Sequence, residues 1–300
     1  MLYKPRTQPT ELKILKHLDQ RMELPTKDKQ YLLNLEKGFE GELIFDSLLE
    51  KIQCETYIIN DLRLSSGNNA FQIDSLMITN NKVFFYEVKN YKGDFYYEED
   101  KFFRSKYEII NPLHQLGRSK SLLHQVLQKN GVTLSIEASV VFINPEFTLY
   151  NSPIDKPIIH PTQINRYLKK FNSTPTKLND SHRRLADTLL NLQNPEPSIE
   201  HIPTYDYNQL RKGLTCLNCN SFSIVNENNI CKCEACGNCE KLEMAVKRNI
   251  DIFRLLFPQR KITTQAIHDW CQIVTSKKSI WKILNRNYQK KGENRWTYYE

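Results

Sequence analysis

Lys82 to Asn90 reads KVFFYEVKN, and every residue from Val83 to Val88 except Glu87 is apolar or aromatic. A run of this kind belongs to a strand buried on both faces, so the chain must fold around a covered sheet. Charges inside such a strand need a reason. Side chains alternate along a strand, which puts Glu87 and Lys89 on one face. Just upstream, QIDSLMI alternates as well, with Gln72, Asp74, Leu76 and Ile78 expected to share a face. Thr79-Asn80-Asn81-Lys82 reads as the turn joining the two runs into a hairpin, which brings Asp74 beside Glu87. Two hard carboxylates on adjacent strands suit Mg²⁺ or Mn²⁺, ions that prefer oxygen and keep waters for chemistry on phosphate. The competing reading is an ordinary Glu87–Lys89 ion pair on a solvated strand.

The upstream segment KGFEGELIFDSLLEKI adds a third acid. On a helix Glu42, Phe45, Leu49 and Ile52 fall on one stripe, so Glu42 is a carboxylate on an apolar face and should look inward. Burial of an unpaired carboxylate is costly, and a metal or a nearby cation is the remedy. Gly38 and Gly41 are expected at the helix start, where they permit close backbone approach. There Glu42 could also serve simply as an N-terminal acid favoured by the dipole.

The succession KGFEGE, QIDSL and FFYEVKNYKG resembles the nuclease-related domain (NERD) family, a branch of the restriction-endonuclease-like superfamily with its Asp and Glu-x-Lys signature, over roughly residues 36 to 150. The resemblance implies a mixed sheet flanked by helices, a divalent metal and hydrolysis of DNA. Carried over by position, Glu42 is the helix acid, Asp74 and Glu87 are metal ligands, and Lys89 is the motif lysine. Ile73 stands where the superfamily often has Pro. Related nucleases also carry a Gln on the helix after the Glu-x-Lys strand. Here NPLHQLGRSKSLLHQVLQKNG reads as that helix, with Asn111 as N-cap, Pro112 in the first turn and Asn130-Gly131 at its end. Gln115 then becomes the fourth site residue, although plain helix polarity also accounts for it. His114 and His124 read as surface or packing residues, because hard ions favour carboxylates.

Eight cysteines are present. No apolar run reaches the length of a membrane span, and MLYKPRTQPTELK lacks the apolar core of a signal peptide, so a cytoplasmic setting with reduced thiols is expected. Cys216-x-x-Cys219 and Cys233-x-x-Cys236-Gly form two knuckles at the spacing that sets four thiolates around Zn²⁺, the mark of a structural zinc ribbon. Cys231 and Cys239 leave a second register open, and redox thiols or an iron-sulfur cluster are the alternatives to zinc. Cys54 and Cys271 read as small core residues.

From Lys241 onward there are thirteen Lys and Arg against five Asp and Glu, so the net charge of +8 carried by the whole chain sits at one end. ITTQAIHDWCQIV and SKKSIWKILNRNYQ read as helices, the second capped by Ser276, and KKGENRWTYYE as a turn and strand. That order matches a winged helix-turn-helix, in which Lys277, Lys278, Lys282 and Arg286 would face DNA. Trp281, Ile283 and Leu284 read as core. A basic helical cap with solvated lysines is the competing reading.

The expected fold is therefore α/β: a restriction-endonuclease-like mixed sheet flanked by helices, a small zinc ribbon and a C-terminal winged-helix-like helical module. The expected boundaries are an N-terminal helical segment over 1–35 packing on the nuclease core, the nuclease-like domain over 36–192, a Pro-rich linker over 193–210, the ribbon over 211–240 and the basic module over 241–300. EASVVFINP should close the sheet, with PTQINRYLKKF and LNDSHRRLADTLLNL as covering helices. The function these features imply is metal-dependent DNA cleavage, with RNA as an alternative target. A non-catalytic DNA-binding or regulatory protein retaining the fold is the rival. No membrane partner is expected.

Overall fold

The computed structural model describes residues 1–173, 177–195, 199, 201–272, 274 and 276–300, with Arg295 described by its backbone alone. Two compact units emerge: Met1–Pro9 with Leu33–Ser198, and Thr10–Leu32 with Ile199–Glu300. Residues of the N-terminal segment expected over 1–35 fall in both units. Strand β1 (Leu2–Lys4) joins the first unit, whereas helix α1 (Thr10–Arg21) belongs to the second.

Helix α2 (Thr26–Leu49) enters the first unit at Leu33 and is followed there by β2 (Tyr57–Ser66), β3 (Asn69–Ile78), β4 (Lys82–Lys89), β5 (Gly93–Glu98), β6 (Lys101–Arg104), β7 (Tyr107–Ile109), α3 (Pro112–Lys129), β8 (Ser135–Phe142), β9 (Phe147–Tyr150), β10 (Ile158–Ile159), α4 (Ile164–Asn172) and α5 (Asp180–Asn191). A six-stranded mixed sheet has the order β1-β2-β3-β4-β8-β10, and a smaller one the order β7-β6-β5-β9. The hairpin expected at Thr79–Lys82 is present: β3 and β4 pair antiparallel from Ser75 opposite Tyr86 to Ile78 opposite Val83, and the Thr79 amide donates to the Lys82 carbonyl at 2.9 Å. β8 runs parallel to β4 but does not close the sheet, because β10 lies beyond it.

β4 is buried on both faces, as its composition requires. Phe85 packs with Val140, Leu116 and Leu123 on the α3 side, and Phe84, Tyr86 and Val88 pack with Phe45, Leu49, Ile164 and Leu168 on the α2 and α4 side. Each such side chain contributes about 1.5–3 kcal/mol on burial. Alternation breaks at the middle of β2 and β3. Asp61 takes a left-handed φ of 52°, the pairs Asn60–Ser75 and Leu62–Ile73 flank it, and Ile73 and Leu76 consequently reach the same core. Gln72 and Asp74 therefore do not continue the face of Leu76 and Ile78. Gly38 and Gly41 lie well inside α2 rather than at its start, which removes the dipole explanation of Glu42. Gly41 does mark a close approach, since a Cβ there would fall 2.6 Å from Asn90 Cβ, whereas Gly38 faces open space.

The second unit contains α1, then β11 (Ile224–Glu227), β12 (Ile230–Cys233) and β13 (Cys239–Lys241) as a three-stranded antiparallel sheet. α6 (Leu242–Leu256), α7 (Thr264–Cys271), α8 (Lys277–Asn287) and the hairpin of β14 (Lys290–Lys291) and β15 (Tyr298–Tyr299) follow. Ile262 bridges to Tyr299, giving the hairpin a third strand position and completing a winged-helix arrangement. Arg21 of α1 is buried here, its guanidinium 4.2 Å over the Trp270 ring and bonded to Asn249 Oδ1 at 3.1 Å, which accounts for α1 joining this unit. Ser276 stands at the N-cap of α8 but its side chain makes no capping bond. Trp281 is exposed rather than core, while Ile283 and Leu284 are buried; Cys271 is buried and Cys54 only half-buried. Of the linker expected over 193–210, residues 196–198 and 200 lie outside the described residues, as does Ile273 of the first C-terminal helix expectation.

Candidate functional site

The pairing of β3 and β4 stops at Ser75–Tyr86, and the acids gather where it stops. Asp74 replaces the missing ladder bond: its Oδ2 accepts the Val88 amide at 2.7 Å. Val88 lies between Glu87 and Lys89, so the three motif residues are locked to one another through a backbone group. Lys89 Nζ donates to Glu87 Oε1 at 2.6 Å and to Gln115 Oε1 on α3 at 3.3 Å. Glu42 approaches from α2, on the opposite side of the sheet.

Sequence reading missed the cation that meets Glu42. Arg6, just after β1, donates from Nη1 to Glu42 Oε2 at 2.7 Å, from Nε to Asp46 Oδ2 at 2.8 Å and from Nη2 to the Asp74 carbonyl at 2.6 Å. Ser75 Oγ completes the cage by donating to Asp46 at 3.0 Å. Asp61 was also missed; it accepts from Gln72 at 2.9 Å and pairs with Arg63. Signals existed for both acids. Asp46 is one helical turn from Glu42, and Asn60-Asp61 interrupts the apolar run of β2.

Burial is the dominant electrostatic influence. It pushes Glu42 up to about 8, with Asp74 reinforcing it and Arg6 opposing. Burial and then Asp74 likewise push Glu87 up to about 7 against the pull of Lys89. Asp74 is raised by burial too, although the Val88 amide and Lys89 hold it back. Burial works against charge on Lys89, but Glu87 outweighs it and the ammonium is favoured. The cluster is thus short of positive charge even with Arg6 and Lys89 in place.

Asp74 Oδ1 and Glu87 Oε2 accept no hydrogen bond among the described residues. Spare carboxylate oxygens in a site short of positive charge suit a hard divalent cation. The three acids do not form a closed shell: among the described residues, the only group of three or more His, Cys, Asp and Glu whose ligand atoms all lie within 4.8 Å of one another is the Cys cluster. Mg²⁺ does not need a closed shell, since one or two carboxylates, waters and substrate phosphate complete it.

That Cys cluster is Cys216, Cys219, Cys233 and Cys236, with Cys216–Cys236 and Cys219–Cys233 sulfurs each 3.6 Å apart. Zn–S bonds of about 2.3 Å in a tetrahedron require nearly that separation. Cys231 and Cys239 stand outside the group. The Cys236 thiol is lowered to about 6, first by the Asn238 backbone and then by its Cys219 neighbour, which favours the thiolate a metal needs.

In the winged-helix module Lys277, Lys278 and Lys282 are exposed along α8, as is Arg286, which pairs with Glu243 at 3.0 Å. Elsewhere Lys92 pairs with Glu146, and His114 bonds Asp100 at 2.8 Å. Among the described residues no helix is long and apolar enough to cross a membrane.

Residues 37–143 match the family model described as the nuclease-related domain, a span that holds Glu42, Asp74, Glu87, Lys89 and Gln115. An uncharacterized protein of Bacillus anthracis is 22% identical over 189 residues, covering 59% of this chain and 86% of that protein. No solved structure matches. The chain therefore carries a nuclease-related domain, running from the middle of α2 through β8 to residue 143.

Proposed function

We propose that the chain is a Mg²⁺- or Mn²⁺-dependent nuclease that hydrolyses DNA phosphodiester bonds at Asp74, Glu87, Glu42 and Lys89. The observation that carries this reading is the bond from the Val88 amide to Asp74, which sets Asp74 against Glu87 and Lys89 at the end of a doubly buried strand. Asp74 and Glu87 would hold the ion through their spare oxygens, and Glu42 would hold its water shell from the α2 side. Such an ion, when bound, stabilises charge on phosphate oxygens and makes water a better nucleophile. Lys89 sits where its ammonium can orient the attacking water or neutralise charge building on the phosphate. Gln115 positions that ammonium through its 3.3 Å contact. The zinc ribbon and basic module would hold the nucleic acid.

Incubating the purified chain with plasmid, linear and single-stranded DNA and with RNA, in Mg²⁺, Mn²⁺ or EDTA, tests the reading. Metal-dependent cutting of DNA that disappears in Lys89→Ala is expected; a Lys89→Ala protein cutting at the wild-type rate would refute the assignment. One observation favours a non-catalytic DNA-binding protein instead: Arg6 already gives Glu42 and Asp46 a structural ion-pair partner. Binding without cutting, unchanged in Asp74→Ala, would select that rival.

A further inference from the structure

Trp281 lies on the open side of α8 at 48% exposure, and Trp296, in the turn between β14 and β15, is 73% exposed. The third tryptophan, Trp270, is fully buried. An exposed indole offers a large apolar face to a ligand, and α8 makes its core contacts through Ile280, Ile283 and Leu284 rather than Trp281. The wing approaches the same side of α8. Tyr299 Oη donates to Asn285 Oδ1 at 3.0 Å, and Asn285 is one helical turn beyond Trp281. Lysines frame this side: Lys277 and Lys278 precede Trp281 by a turn, and Lys282 follows it. On the neighbouring side a groove of about 480 Å³ separates α8 from the ribbon, and Lys282, Arg286 and Lys241 line it.

The bidentate contacts that read duplex edges from the major groove come from Arg or Lys on guanine and Asn or Gln on adenine. The first two turns of α8, KKSIWKIL, carry only lysines among these and add an exposed indole that duplex-edge reading does not use. They offer ammonium groups, which suit phosphates, and an indole face, which suits an unstacked base of any identity. A paired duplex hides its base faces; a single strand presents them.

We propose that α8 and the β14–β15 wing bind single-stranded DNA, with bases stacked on Trp281 and Trp296 and phosphates held by Lys277, Lys278 and Lys282. The proposal rests on the reading of the chain as DNA-directed and names the form of DNA that its C-terminal module holds.

The test titrates the full chain, without added Mg²⁺ or Mn²⁺ and without chelator, with an oligothymidylate, a blunt duplex of equal length and an RNA oligomer at one fixed salt concentration, following tryptophan fluorescence. The single DNA strand is expected to quench the two exposed indoles, leave the buried one emitting, and bind at least about tenfold more tightly than the duplex. Trp281→Ala and Trp296→Ala should each weaken binding roughly tenfold, and Trp281→Phe, which keeps a stacking face, should recover most of it. Far-UV circular dichroism checks that the variants fold. Duplex binding as tight as single-strand binding, or wild-type affinity in both alanine variants, overturns the proposal, and tighter binding of the RNA oligomer overturns its DNA assignment. If metal-dependent cutting is lost in Asp74→Ala while these tryptophan tests fail, only this inference falls. If no nucleic acid is bound or cut, the reading beneath it falls.

Discussion

Asp74 holds the amide of Val88 at 2.7 Å, and this bond does for β3 and β4 what their ladder does up to Ser75 and Tyr86. One carboxylate thus has two tasks. It closes the sheet at the point where the strands part, and it places a negative charge beside Glu87. The tasks separate by substitution.

Asp74→Asn keeps an oxygen for the Val88 amide and removes a buried charge, so it should melt at or above the wild-type temperature in EDTA while losing cleavage by at least ~10³-fold. Asp74→Ala leaves the amide without a partner and should cost about 1–3 kcal/mol. Denaturant titration of both variants beside a cleavage assay checks this. Equal destabilisation by Asn and Ala would show that the Val88 bond is not what Asp74 contributes to the fold.

Glu42 gives the pH dependence its sign. Its carboxyl moves from an ordinary 4.5 up to about 8 in the folded chain, so between those values the folded state keeps a proton that the unfolded state has released. The stability tied to that proton is present below the ordinary range and is lost as pH rises through about 8. Glu87, raised to about 7, acts in the same direction. In EDTA, Glu42→Gln should match the wild type near pH 5 and become the more stable protein by pH 8.5, as judged by melting temperature. Mg²⁺, which competes with the same protons, should raise the wild-type melting temperature more at pH 8.5 than at pH 6. A Glu42→Gln advantage that does not grow with pH would contradict the burial argument.

How much of this was legible in the sequence depends on the range of the interactions involved. The β3–β4 hairpin, the cap at Asn111 and the pairing of Cys knuckles rest on neighbouring residues, and periodicity or spacing exposes them. The partner of Glu42 is Arg6, 36 positions away, and no local pattern connects a segment after a short edge strand to the middle of a helix. The flip of faces at Asp74 depends on the left-handed backbone of Asp61 in the neighbouring strand, which alternation alone does not encode. Trp281 was misjudged for a related reason. Large apolar residues are usually interior, and only the burial of Ile280, Ile283 and Leu284 shows which side of α8 the core takes.

Gly41 and Gly38 provide a matched pair on one helix. A methyl group at position 41 would press on Asn90, whose side chain donates to the Lys37 carbonyl at 2.7 Å and accepts from Asn144 at 2.9 Å, so α2 would be pushed from the end of β4. Glu42 would move with it. Gly41→Ala should therefore cost about 1–3 kcal/mol and reduce cleavage, whereas Gly38→Ala, with open space around it, should gain about 0.5–1 kcal/mol of helix stability and leave cleavage intact. Chemical denaturation of the two variants decides the matter; a stable, fully active Gly41→Ala would mean that the helix is not seated against Asn90.

The register of the Cys cluster predicts which thiols a metal needs. Strands β11, β12 and β13 are three or four residues long, too short to build an apolar core, so the ribbon depends on whatever the four sulfurs hold. Purified chain should contain zinc, one ion per four-thiolate site, with negligible iron by elemental analysis. Cys216→Ser, Cys219→Ser, Cys233→Ser and Cys236→Ser should each lose most of it and expose the ribbon to protease. Cys239→Ser should retain both metal and resistance, since its sulfur lies outside the group and contacts only the Gly237 carbonyl among the described residues. Stripping zinc from the wild type with a chelator should reproduce the protease sensitivity of the four variants, and returning zinc should reverse it. Loss of metal in Cys239→Ser equal to that in Cys236→Ser would shift the second knuckle to Cys236-x-x-Cys239 and overturn the arrangement of sulfurs described above.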